Sequence, residues 1–444
     1  MPFSQQNHFM KIFRWSVTVA LAGFLFGFDT AVISGADQPI QKLWQLSDLF
    51  HGTFIMSMAL WGTVIGALFG GIPCNVWGRK KTLIWIGVLY LVSALGSALA
   101  PDPYTFSFMR FIGGLGVGAS SVAAPIYISE IAPRDRRGRL VVLYQFMLVL
   151  GIFVAYASNF LIGDSGPNAW RFMLGAEAVP AALYLAMIFT VSESPRWLVV
   201  YKHDMETARN LLVQLNPQGD PEKLLTEIHR SETQIAKSSL WSSRYKTVIM
   251  LAFAVAFFNQ LSGINFVIYY APRILEATGA GASAALFATA GIGLINIIFT
   301  MLGMYLIDRS GRKTLLIIGS VGYILSLAFV SRAFFAETFT GVPILLILFV
   351  AAHAIGQGAI IWVYISEIFP NQLRASGQAF GCSVHWVLAA IITLLMPHVL
   401  NTFSGGPIFA FFALMMVLQL LFAVFVMPET KGISLEDLQK KLVG

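Results

Sequence analysis

Tyr127-Ile128-Ser129-Glu130-Ile131-Ala132-Pro133 returns as Tyr364-Ile365-Ser366-Glu367-Ile368-Phe369-Pro370, with one difference in seven residues and an offset of 237. Two shorter segments repeat at nearly the same distance. Gly78-Arg79-Lys80 matches Gly311-Arg312-Lys313 at an offset of 233, and Glu193-Ser194 matches Glu429-Thr430 at 236. Apolar chains often reuse small motifs, but chance reuse scatters the offsets; three near-equal offsets in one order mark an internal duplication. The chain reads as one half made twice.

Of the 444 residues, 57% are hydrophobic and only 11% charged, with a mean hydropathy of +0.73. A soluble domain carries about 25% charge, so this composition predicts an integral membrane protein. Crossing roughly 30 Å of hydrocarbon takes about 20 apolar residues, and twelve such stretches occur: 13–36, 51–74, 82–100, 104–128, 140–162, 169–191, 247–271, 284–307, 314–335, 341–365, 374–401 and 405–427. Six fall in each half. The predicted fold is all-α, with six-helix domains at 1–191 and 247–427, a cytoplasmic helical linker at 192–246 and a cytoplasmic tail at 428–444.

The first apolar stretch is too long for a signal-peptide core and lacks a small-residue cleavage site, so it is expected to stay as helix 1. Cys74 and Cys382 lie in or beside apolar spans, which excludes a disulfide framework and points to packing roles. No Asn-x-Ser/Thr sequon occurs. The net charge of +7 orients the chain and does not signal nucleic acid. With the N-terminus in the cytoplasm, four of the 29 Lys and Arg fall outside (Lys42, Arg171, Arg273, Arg332), Arg110 falls within a span, and the remaining 24 are cytoplasmic. Both termini are then cytoplasmic, and an even number of spans gives the two halves one orientation.

Asp29 lies in the outer part of helix 1. A carboxylate near a helix centre costs about 2.5–3.5 kcal/mol to insert, so it must face a cavity or a partner. Asp29 and Arg110 sit at similar depth below the outer surface and can meet, either as a fixed buried ion pair or as a pair that titrates in a transport cycle. Helix 7 reads Phe258-Asn259-Gln260-Leu261-Ser262-Gly263-Ile264-Asn265-Phe266-Val267-Ile268-Tyr269-Tyr270-Ala271-Pro272, too polar for lipid. At about 100° per residue Asn265 points some 140° away from Gln260, so a break near Gly263 is expected to aim both at one cavity. Carboxamides and phenols offer donors and acceptors without charge, a lining suited to a neutral polyhydroxyl ligand.

The loops Asn75 to Lys81 and Asp308 to Lys313 read as tight cytoplasmic turns, with Gly78 and Gly311 allowing the bend. Their cations, Arg79 and Arg312 foremost, are expected to meet Glu130 and Glu367, close to Arg139 and Arg374; topogenic charge alone is the alternative. In the linker, Asp204 caps a helix with Met205, Ala208, Leu211, Leu212 and Leu215 on one face, and Asp220-Pro221 starts another with Leu224, Leu225 and Ile228. Both are expected to lie across the mouth between the halves.

With these residues quoted, the chain resembles the sugar porter family of the major facilitator superfamily over essentially its whole length. The marks are Gly27-Phe28-Asp29-Thr30-Ala31-Val32-Ile33-Ser34-Gly35, Arg110 with Gly113-Gly114, Glu130, Arg137-Gly138-Arg139, Ser194-Pro195-Arg196-Trp197, Gln260 to Pro272, Asp308 to Lys313, Trp362, Ser366 to Pro370, and Pro428-Glu429-Thr430-Lys431-Gly432. The resemblance implies the major facilitator fold, two six-helix domains rocking about a sugar held by Gln145, Gln260, Asn265, Asn296 and Trp362. It also implies cytoplasmic gating by Arg79, Glu130, Arg139, Glu193, Asp308, Arg312, Glu367, Arg374 and Glu429. Symporting members have an Asp in helix 1 where uniporting ones often have a neutral residue, so Asp29 with Arg110 implies proton coupling.

Some positions depart from the family pattern. Asn259 stands where a second Gln is usual; His385, next to Trp386, replaces Gln or Asn; His353 lies where many glucose carriers have Phe. These histidines resemble fructose carriers and Trp362 resembles glucose and xylose carriers, so Asn259, His353, His385 and Trp386 join the candidate sugar contacts. Asn75 replaces a loop Asp, and Gly358-Ala359 lacks the usual Pro in helix 10.

No metal-ligand cluster, catalytic triad or phosphate loop is evident, so no enzyme, metal or cofactor is expected. The expected protein is a monomeric carrier in the plasma membrane, moving a neutral monosaccharide with a proton and binding no nucleic acid. A uniporter and a non-transporting sugar sensor are the alternatives, although the tail is short for a sensor.

Overall fold

The computed structural model describes residues 3–133, 136–215, 220–233, 240–370 and 373–433, with 438 and 442. Twelve helices are long and apolar enough to cross a membrane. Helices 1 to 6 are Met10–Leu43, Asp48–Phe69, Arg79–Leu99, Pro103–Ile131, Arg137–Ile162 and Ala169–Ile188; helices 7 to 12 are Ser243–Glu276, Ala282–Ser310, Arg312–Phe335, Val342–Ile368, Ser376–Thr402 and Gly405–Phe425. Every regular element among the described residues is helical. The protein is an all-α, multi-pass membrane protein.

Packing repeats along with the sequence. Helix 1 lies on helix 5, helix 2 on helix 4 and helix 3 on helix 6; helix 7 lies on helix 11, helix 8 on helix 10 and helix 9 on helix 12. The first six helices meet the last six where helix 5 lies against helix 8 and helix 2 against helix 11. Small residues permit the closest crossings: a β-carbon at Gly114 or Gly118 would run into the backbone of helix 2, and one at Gly27 into that of helix 5. The glycine-rich run from Gly113 to Gly118 is thus a packing surface.

Helix 1 runs two turns beyond its apolar stretch, because Asp37, Gln38 and Gln41 find polar partners on helices 2 and 7. In the linker, the Asp204 carboxylate accepts from Thr207 N at 3.0 Å and that of Asp220 from Glu222 N at 3.0 Å, capping Met205–Leu215 and Pro221–Thr233. Ala208, Leu211, Leu212 and Leu215 are buried as expected, whereas Met205 is exposed. Among the described residues these helices pack on helix 1 and on a short Pro195–Val200 helix, with Lys11 Nζ donating to Gln214 Oε1 at 2.9 Å. These contacts are all with the first half.

Candidate functional site

Helix 7 breaks where its amides require. Lys246–Leu261 ends at Ser262, and Ile264–Glu276 starts after Gly263, whose φ of 83° is left-handed. A β-carbon there would be strained and would stand 2.8 Å from the Phe412 ring. Ser262 satisfies the freed backbone, donating to Asn259 O at 2.6 Å and accepting from Ile264 N at 3.3 Å. The break turns Asn265 back toward Gln260, and Asn265 Nδ2 donates to Gln260 Oε1 at 2.8 Å.

Other helices bring rings to this amide pair. Gln260 Nε2 lies 3.1 Å from Asn259 Oδ1 and 3.1 Å from each ring nitrogen of His385. The His385 ring centroid is 5.0 Å from that of Trp362 and 4.6 Å from that of Trp386, and Trp386 reaches across to Phe26 on helix 1 at 5.5 Å. Asn259, Gln260, Asn265, Trp362, His385 and Trp386 therefore form one cluster, in which uncharged donors and acceptors stand beside aromatic faces. His353 lies behind it, with Nδ1 2.5 Å from Tyr323 Oη. Gln145 is half-buried and hydrogen-bonds to no described residue, and Asn296 accepts from Thr300 Oγ1 at 3.3 Å; no hydrogen bond joins either to the cluster. Helix 10 breaks as well, at Gly356, whose Cα faces Gly319 on helix 9; without a Pro as a marker, the sequence reading did not place that break.

Asp29 and Arg110 do meet. The Arg110 guanidinium donates to Asp29 Oδ1 through Nη1 and to the Asp29 carbonyl through Nη2, the latter at 3.1 Å, with both side chains almost fully buried. A third ionisable group, unassigned by the sequence reading, lies against them. Glu177 on helix 6 is 1% exposed, lies in the field of both Asp29 and Arg110, and its Oε1 has no partner among the described residues. An acid inside an apolar span was the available signal.

At the end of the bundle that bears the Gly78 and Gly311 turns, the repeated motifs repeat atom by atom. Arg79 Nη2 to Glu130 Oε1 is 2.9 Å and Arg312 Nη2 to Glu367 Oε1 is 2.7 Å. Glu193 accepts from Arg79 N and Lys80 N, as Glu429 does from Arg312 N and Lys313 N, so each carboxylate caps the N-terminus of helix 3 or helix 9. Ser194 Oγ donates to Glu130 Oε2 at 2.5 Å and Thr430 Oγ1 to Glu367 Oε2 at 2.6 Å. Asn75, at 3.5 Å from Arg79, stands where Asp308 meets Arg312 at 3.4 Å, so only the second copy has the extra charge pair. Arg139 is exposed with no ion pair among the described residues, and Arg374 Nε donates to Ser366 O at 2.9 Å.

The two capping acids differ in proton affinity. Burial pushes the Glu193 carboxyl above its ordinary value despite its backbone donors. In Glu429 burial pushes the same way, but four backbone N–H donors together hold the carboxyl below that value. Burial also pushes the nearby Cys74 thiol up to about 11, which makes it unreactive at neutral pH.

Twelve spans packed as two like sets, a broken helix with facing amides and rings at mid-bundle, and a buried charge cluster define a membrane carrier. The family described as Sugar (and other) transporter matches residues 15–442, and the chain belongs to it. An arabinose-proton symporter of Bacillus subtilis (strain 168) is 34% identical over 99% of this chain and 97% of its own. Among solved structures, the inward open conformation of the xylose transporter XylE from E. coli superposes with a TM-score of 0.86 at 32% identity, covering 97% of this chain and all of that one. The proton:xylose symporter XylE bound to 6-bromo-6-deoxy-D-glucose gives 0.79 at 31% identity, over 98% and 99%.

Proposed function

We propose that the protein carries a neutral monosaccharide together with a proton across the cell membrane by alternating access, as a monomer with both termini cytoplasmic. The observation that carries this reading is the break at Gly263, which gathers Gln260 and Asn265 beside Trp362, His385 and Trp386 without a single charge. Asn265 Nδ2 donates to Gln260 Oε1 at 2.8 Å; sugar hydroxyls replace such bonds and a ring face covers the sugar's apolar side. The relatives named for arabinose and xylose support a pentose as substrate, and the glucose derivative bound in the second XylE structure supports a hexose.

For the proton, Asp29 is the carrier and Arg110 its competitor. Both stand on the first six helices, so rocking of one half against the other leaves the pair together and changes which side of the membrane it faces. Glu177 lets Arg110 keep a counter-ion while Asp29 is protonated. The higher score against the inward open neighbour, and polar bonds that join helix 7 to helix 1 at the outer end, support an inward-facing state.

The test is uptake into proteoliposomes of a panel of labelled pentoses and hexoses, with and without a pH gradient. Saturable uptake and counterflow that accumulate sugar only with the gradient are expected. Uptake that never exceeds equilibrium would reduce the protein to a uniporter, and binding without counterflow to a sensor.

A further inference from the structure

A second buried charged cluster lies at the outer end, unused by the mechanism above. Asp37 on helix 1 is 1% exposed and His51 on helix 2 fully buried, with His51 Nε2 2.6 Å from Asp37 Oδ1. The same carboxylate oxygen receives Arg273 Nη1 of helix 7 at 3.5 Å. Around it, Arg273 Nη1 donates to Gln41 Oε1 at 3.1 Å, Gln38 Nε2 to Glu276 Oε2 at 2.7 Å, and Asn401 Nδ2 of helix 11 to Asp48 Oδ1 at 2.7 Å. Each of these bonds except His51–Asp37 ties one of the first six helices to one of the last six.

We propose that His51 is a second proton-binding group, whose protonation from the outer side hands Asp37 over from Arg273 to His51 and unlocks the outer ends of helices 1 and 7. The imidazole is the side chain whose ordinary charge change falls between pH 5 and 8. In the locked state an imidazolium would stand across one carboxylate from Arg273 and repel it. Its second N–H would be a buried donor without a partner, since Nδ1 has none among the described residues. It would also be a charge removed from water. Opening relieves all three costs, while the attraction of His51 to Asp37, both on the first six helices, persists in either state. Protonation therefore favours opening.

The remaining groups facing the cluster do not reverse the sign. On helix 7 these are Glu276 and Tyr270; on helix 2 itself, Asp48; on helix 4, Tyr104 and, deeper, Arg110; on helix 11, the exposed His398. Glu276 and Asp48 take their bonds from amides, whose strength does not depend on the charge of His51, Arg110 is held by Asp29, and phenols stay neutral across this pH range. The inference rests on alternating access and is independent of Asp29.

The test is a pulsed dipolar distance measurement on the full chain in lipid nanodiscs, with spin labels at Leu43→Cys and Thr402→Cys in a background of Cys74→Ser and Cys382→Ser. Lowering the pH from 8 to 5.5 should shift the distribution from short to long distances. The response should survive Asp29→Asn and vanish in His51→Gln, or in His51→Asn if the first variant is not monodisperse, while Arg273→Gln should open the outer end at both pH values. A response that persists without the imidazole, or that disappears with Asp29→Asn, overturns the proposal. A distribution that shifts with sugar and not with pH overturns it alone, and a single distance in every sample overturns alternating access as well.

Discussion

Replacing Asp29 by Asn removes the negative charge that faces Arg110 and leaves the guanidinium a neutral amide oxygen beside its bond of 3.1 Å to the backbone carbonyl of residue 29. Removing one member of a buried ion pair costs about 3–5 kcal/mol, mostly because the other charge is left uncompensated. Here Glu177 remains as a neighbouring acid, so Asp29→Asn alone should fall below that range, and the full loss should appear only in Asp29→Asn with Glu177→Gln. A double-mutant cycle on thermal unfolding should then show a coupling of at least about 1 kcal/mol. In transport the consequence is larger. A proton moving with the sugar draws about 2.3 kcal/mol from 100 mV, enough for roughly fiftyfold accumulation, and Asp29→Asn should lower that ratio to one while sugar binding and counterflow persist. The assay is accumulation in proteoliposomes under an imposed pH gradient and potential, with calorimetric binding on the same preparations. A variant that still accumulates sugar would refute the assignment of the coupling proton to Asp29, and additive unfolding losses would refute the takeover by Glu177.

Gln260→Ala should weaken sugar binding by about 1–3 kcal/mol, the worth of a buried hydrogen bond, and calorimetry showing unchanged affinity would remove Gln260 from the site. Gly263→Ala must hold a left-handed φ at a cost of about 1–2 kcal/mol and press on Phe412, so a lower Tm and weaker binding are expected, with partial recovery in Phe412→Leu; an unchanged Tm would contradict this. Glu193 binds its proton more tightly in the folded protein than the ordinary 4.5, so its stabilising contribution is full below that value and lost as pH rises through the raised one; Glu429 is the reverse, full above 4.5 and lost as pH falls through the lowered one. Thermal unfolding at pH 7 should therefore show Glu193→Gln stabilised and Glu429→Gln destabilised, and shifts of the same sign would refute the difference. Arg312→Ala should lower the Tm, because it leaves the Glu367 carboxylate without its ion pair where helix 9 meets helix 10, and an unchanged Tm would contradict this.

The spans were legible because a bilayer imposes length and apolarity on each one, and the duplication because its offsets agree. The break in helix 7 was legible from two amides that a straight helix cannot aim together, the break in helix 10 not, since Gly356 has no proline beside it. The outer two turns of helix 1 were missed for a different reason. Asp37, Gln38 and Gln41 look like loop residues until Arg273 and Glu276, more than 230 positions away, are seen to hold them. Likewise the linker helices were legible from their caps and apolar faces, while the surface they sit on depends on contacts that no local pattern encodes. Glu177 could have been read from its type and place alone.

The break at Gly263 also marks a division of labour between the two copies. The offset of 236 that relates Glu193 to Glu429 carries Gly27 onto Gly263 and Asp29 onto Asn265. In the first copy the glycine lies inside an unbroken helix, Phe3–Leu43, where its bare face admits the backbone of helix 5; in the second the same register opens into a left-handed turn. Two positions further on, one copy holds an acid and the other its amide. The proton site and the sugar site proposed for this carrier thus stand at matching places in helices 1 and 7, one in each half, so a single rocking movement of one set of helices against the other reaches both.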